Sequence, residues 1–122
     1  LAARYPGVEL WAAGFSFGAR TVAGLAPKEA RIKRVVLVAL PVLAYDCTFV
    51  LQVTQPGAIF MAGEDGFGTL AALRSQMPTL IQRFHVEEVP GVDHFFTGAL
   101  DELRARVRGW AETALASGPT TR

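Results

Sequence analysis

The chain is short of several things. It has one cysteine, Cys47, in 122 residues. No intrachain disulfide can form, and a lone thiol fits a reducing compartment, so a cytoplasmic location is expected. It has two histidines and no cluster of His and Cys at ligand spacing, so no metal or organic cofactor is implied. It has almost no net charge: 12 basic side chains stand against 11 acidic ones, mixed along the sequence. That argues against nucleic acid or an anionic membrane as the main partner. No apolar run approaches the ~20 residues of a spanning helix. No charged-then-apolar leader opens the chain. The first residue is Leu1, not Met, ahead of a hydrophilic Arg4-Tyr5-Pro6-Gly7 turn, which reads as the start of an excised or processed piece.

What is present is enough apolar material for a core. Half the residues are apolar and a fifth are charged, and the length suggests one domain, expected over 1–116 with 117–122 as a frayed tail. Four apolar runs stand out: 8–13, Ile32 to Leu40, 58–62 and Phe84 to Val89. The first three are unbroken, as in strands buried on both faces. The fourth, with His85, Glu87 and Glu88, is mixed in the manner of an edge strand. Helical patterns separate them. One is expected from Phe17 to Ala26, ending before Pro27, and one from Leu70 to Met77, stopped by Pro78. The longest runs from Thr97 to Ala116, with Leu100, Leu103, Val107, Trp110 and Ala114 on one face. Pro41 to Pro56 reads as a long loop with one helical turn near Phe49-Val50-Leu51. This alternation predicts an α/β fold, a parallel sheet of about four strands with flanking helices. Active sites of such sheets gather at the carboxyl ends of the strands.

The most informative segment is Gly14-Phe15-Ser16-Phe17-Gly18, between the first strand and the first helix. Gly-x-Ser-x-Gly in that context is a nucleophile elbow, a reversal sharp enough to strain the backbone and lift the Ser hydroxyl clear of the sheet. The glycines two before and two after the serine are expected to press against neighbouring backbone, where a Cβ would clash. Phe17 matters through its backbone N–H, aimed where an oxyanion would form.

A serine hydroxyl needs a base. His85 falls inside the fourth strand and reads as a partly exposed strand residue. His94 falls in the loop after it, on the same sheet edge as Ser16, and is the expected base. The imidazole needs a carboxylate to fix its tautomer. Asp65, after the third strand, fits best. Glu64 beside it and Asp46 after the second strand are the alternatives. Asp93, adjacent to His94, reads as a loop-shaping residue.

Ser16, Asp65 and His94 stand in the Ser…Asp…His order of the α/β-hydrolases. The chain resembles the C-terminal half of that superfamily. More narrowly, it is similar to small, lidless bacterial hydrolases of the dienelactone-hydrolase-like and esterase-like kind. The segments that carry the likeness are Gly14-Phe15-Ser16-Phe17-Gly18-Ala19, Ala39-Leu40-Pro41-Val42, Met61-Ala62-Gly63-Glu64-Asp65 and Gly91-Val92-Asp93-His94-Phe95-Phe96. In the acid loop such proteins usually place the Asp three residues after the Gly, whereas Asp65 is two after Gly63. The resemblance implies about eight strands, of which four are legible here. It also implies that the loop donating the second oxyanion N–H precedes the elbow strand.

These readings give a serine hydrolase acting on carboxylic esters or related acyl substrates. Ser16 is the nucleophile, His94 the base, Asp65 the acid and Phe17 an oxyanion donor. A thioesterase, peptidase or C–C hydrolase would use the same triad. The alternative from another class is a truncated or degenerate hydrolase fold serving as an interaction or self-association module. An apolar first strand left at a sheet edge invites pairing with another chain, so a homo-oligomer, or cover from an N-terminal half, is expected. Phe15, Phe17, Phe67, Phe95 and Phe96 either line an apolar acyl pocket or pack the core.

Overall fold

In the computed structural model residues 8–117 are described; the Arg4–Gly7 turn and the expected tail from Gly118 onward lie outside them. Four strands, β1 (Leu10–Phe15), β2 (Ile32–Val38), β3 (Gly57–Ala62) and β4 (His85–Val89), form one sheet. Its order is β1-β2-β3-β4 and every pair is parallel. All four carboxyl ends therefore meet at one edge. The helices are α1 (Phe17–Leu25), α2 (Leu70–Gln76), α3 (Pro78–Arg83) and α4 (Leu100–Ala116), with 3₁₀ turns at Ala26–Lys28 and Thr48–Gln52.

The alternation of side chains along a strand splits the two central apolar runs between two cores. Val35 and Leu37 of β2, with Ile59 and Met61 of β3, face Ala19 and Ala23 of α1, Leu73 of α2 and Leu80 of α3. Val36, Ala58 and Phe60 face the other way, against Leu103, Val107 and Trp110 of α4. Both faces of β2 and β3 are thus covered, which is why those runs are unbroken. β1 departs from the expectation of burial on both faces. It is an edge among the described residues, and Ala13 and Phe15 are exposed. Among the described residues β4 is the opposite edge, as its mixed composition predicts.

Other departures have local causes. β2 stops at Val38 rather than Leu40 because Ala39 turns to a left-handed φ of 55°. Pro78 ends α2 but also opens α3, where its missing N–H and fixed φ suit the first helical position. α4 begins at Leu100 rather than Thr97, because Phe96 and Gly98 both take positive φ values, 54° and 75°, that a right-handed helix excludes. Leu100 at its start is exposed instead of joining the apolar stripe. Among the described residues no helix is long and apolar enough to cross a membrane.

Candidate active site

The elbow is built where β1 meets α1. Ser16 has φ 57° and ψ −120°, a region L residues seldom occupy. Its N–H donates to the Val38 carbonyl at 2.8 Å, and its own carbonyl accepts from Ala19 and Arg20 at the first turn of α1. The turn is thereby tied to the end of β2 on one side and the helix on the other. A Cβ on Gly14 would lie 2.3 Å from the Gly18 carbonyl oxygen and 2.7 Å from the Ala19 nitrogen. Gly18 differs from the sequence expectation: a Cβ there meets nothing within 4 Å. The reversal folds Gly14 under the helix, whereas Gly18 is exposed on its outer side. Phe17 opens α1, so its N–H belongs to the first turn, where a helix offers no internal acceptor.

His94 and Asp65 come from the loops after β4 and β3. Two backbone bonds join these loops at their base, Gly63 N–H to the Val89 carbonyl and Glu64 N–H to the Val92 carbonyl at 2.8 Å. Asp65 is 2 % exposed and His94 8 %. Asp65 Oδ2 is 2.6 Å from His94 Nδ1, and His94 Nε2 is 2.7 Å from Ser16 Oγ. A buried carboxylate can only accept, so the imidazole proton sits on Nδ1 and the lone pair on Nε2 faces the serine hydroxyl. Ser16 Oγ–H then donates to Nε2. The other Asp65 oxygen, Oδ1, accepts the Phe67 N–H at 2.8 Å, an Asx turn that locks the carboxylate plane. Phe67 in turn gives its carbonyl to the Leu43 N–H at 2.8 Å.

The other candidate acids and the second histidine lie elsewhere. The Asp46 carboxylate accepts the N–H and hydroxyl of Thr48, and those bonds hold it below the usual range. Glu64 is exposed. Asp93 accepts from the N–H and hydroxyl of Thr97, which lowers its carboxyl likewise and shapes the loop before α4. His85 is exposed on β4, 2.5 Å from Glu87. No group of three His, Cys, Asp or Glu among the described residues could hold a metal ion.

Aromatic rings rim the serine. Phe67, Phe95 and Phe15 pack on the His94 imidazole with centroids 4.7, 5.1 and 5.3 Å away. Phe17 meets Tyr45 edge-on at 5.5 Å, and Arg20 lies over both rings. Phe96 is not among them; it is fully buried with Ala39, Ala62 and Val89. Sequence reasoning missed two contributors. The Phe67 N–H was signalled only by an Asp followed two residues later by a donor in a glycine-rich loop. Tyr45 carries no local signal, because its approach to Phe17 is set by the path of the Pro41–Pro56 segment.

No protein-family model matches the sequence, and no curated protein matches it. Solved structures do. The chain is 22 % identical to a protein of unknown function from Agrobacterium tumefaciens provisionally classed as an α/β-hydrolase. That match has a TM-score of 0.84 and covers 99 % of this chain and 58 % of the other. A lidless α/β serine hydrolase from Xanthomonas campestris is 28 % identical, with a TM-score of 0.74, over 89 % of this chain and 51 % of its own. An α/β serine hydrolase homologue from Coxiella burnetii is 26 % identical with the same TM-score, over 85 % and 50 %. The sheet and its helices are the α/β-hydrolase fold, and the chain spans between half and three-fifths of the length of these structures.

Proposed function

We propose that this chain, which has the α/β-hydrolase fold, is the catalytic portion of a serine hydrolase acting on carboxylic esters or related acyl compounds. The observation that carries the reading is the hydrogen-bonded series Ser16 Oγ, His94 Nε2, His94 Nδ1, Asp65 Oδ2. Ser16 Oγ attacks the acyl carbon and its proton passes to Nε2. The carbonyl electron pair becomes an oxyanion facing the Phe17 N–H. As the carbonyl re-forms, the C–O bond to the alcohol breaks, and Nε2 returns the proton to the leaving oxygen. Water then enters by the same path and releases the acid. Asp65 holds the imidazole tautomer and steadies its charged form.

A fluorophosphonate probe should label the folded protein at Ser16, and Ser16→Ala should lose the label. A folded protein that takes no label rejects the reading.

The edge of β1 bears on how the site is completed. One oxyanion donor alone leaves the site weak, since removing a single donor costs roughly 10²–10³ in rate. We propose that this edge is covered by another strand, from a second copy or from an N-terminal half of the fold. At tens of micromolar the chain alone should sediment as a dimer or larger, and a monomer with no other chain present rejects pairing between copies.

A further inference from the structure

We infer that the site is built for esters whose alcohol portion is a neutral, apolar group, lodged against Phe15, Phe67 and Phe95. This rests on the serine-hydrolase reading and concerns which side of the scissile bond the aromatic rim serves.

In ester cleavage Nε2 of the base must reach the leaving oxygen. The alcohol therefore departs alongside the His94 ring, whichever acyl group is attached. Three phenylalanines pack on that ring, with centroids at 4.7, 5.1 and 5.3 Å. Phe15 and Phe95 also lie 6.3 Å from each other. All three are well exposed, at 42 % for Phe15, 49 % for Phe67 and 67 % for Phe95. Single exposed apolar residues are ordinary, but a group of them packed on the ring of one histidine marks a binding surface. The carboxylate nearest His94, Asp65, lies on its Nδ1 side and is buried. An anionic alcohol would lose hydration against these three apolar rings.

The two sides of Ser16 are also unlike. Phe15 and Phe17, which flank Ser16, diverge, Phe15 toward His94 and Phe95, Phe17 toward Tyr45 and Arg20. The Phe17 ring turns to Tyr45 and Arg20 and has no contact with the His94 ring among those described. The Phe15 side faces the leaving group.

The test compares two ester series with the full chain: methyl to butyl butanoate, which lengthens the alcohol, and methyl acetate to methyl hexanoate, which lengthens the acid. A fully buried methylene is worth up to about fourfold in kcat/KM, and these rings leave the alcohol partly in water. We expect a rise of about tenfold along the alcohol series. Phe95→Ala should reduce that rise to about twofold while the acyl series keeps its slope, and Phe95→Leu should restore most of it. Phe95 is largely exposed, so its truncation spares the core, and a melting curve checks this. A flat alcohol series, or Phe95→Ala lowering both slopes alike, overturns the inference. Fluorophosphonate labelling of Ser16 separates the two levels. Labelling with a flat series, or without turnover of any ester, removes the leaving-group assignment and leaves the nucleophile standing, whereas absence of labelling removes both.

Discussion

Asp65→Asn is expected to lower kcat on a simple ester about 10⁴-fold, the size of effect seen when a triad acid is made neutral, with little change in melting temperature. The reason lies in the two bonds the carboxylate makes. Oδ1 accepts the Phe67 N–H and Oδ2 accepts from His94 Nδ1. An amide of the same shape has one acceptor. If its oxygen stays on the Phe67 N–H, its NH₂ faces Nδ1, which must then accept. The imidazole proton moves to Nε2, where it points at Ser16 Oγ and can no longer take the serine proton. The loop keeps its Asx turn, so the fold survives while the base is in the wrong tautomer. Asp46→Asn and Glu64→Gln are the controls. Asp46 is engaged with Thr48 and Glu64 is exposed, so each should stay within about threefold of the parent, as surface changes usually do. Loss of activity in either, with Asp65→Asn active, would reassign the acid.

The contrast among these three carboxylates shows where sequence reasoning stops. Glu64 and Asp65 are neighbours at the end of an apolar strand, and their order favours Asp65 while leaving Glu64 open. Their surroundings differ through two backbone bonds to the next loop, Gly63 to Val89 and Glu64 to Val92, beside which Asp65 is buried and Glu64 is exposed. The same limit explains Phe95 and Phe96. Both follow His94, but a positive φ at Phe96 sends that ring into the core and leaves Phe95 on the surface. Strands β2 and β3 were legible because burial on two faces leaves an unbroken apolar run. The end of β2 was not, because the left-handed turn at Ala39 is imposed by contacts with β3, where its N–H reaches the Phe60 carbonyl. Pro78 was ambiguous in principle. The residue that stops one helix is also the best opener of the next.

The elbow glycines carry the second large expectation, and they part company. Gly14→Ala should destabilise the protein by about 3 kcal/mol or more, at the upper end of overpacking costs, and abolish probe labelling in whatever fraction stays folded. The added methyl would sit 2.3 Å from the Gly18 carbonyl oxygen and 2.5 Å from its carbon. Those are backbone atoms of α1, not the end of a flexible side chain. Relief requires α1 to lift from β1, and Ser16 moves with it, since its carbonyl caps the Ala19 and Arg20 N–H groups and its own N–H is fixed to Val38. A small lift is enough to break a 2.7 Å contact with His94, because a reacting group displaced by about 1 Å can lose 10² in rate. Gly18→Ala places its methyl in open space within a helix, where alanine is favoured over glycine by about 1 kcal/mol. It should hold or raise the melting temperature. Thermal denaturation of the two variants side by side is the measurement. Equal melting temperatures would mean that the close approach of β1 and α1 at Gly14 is not what fixes the serine in place.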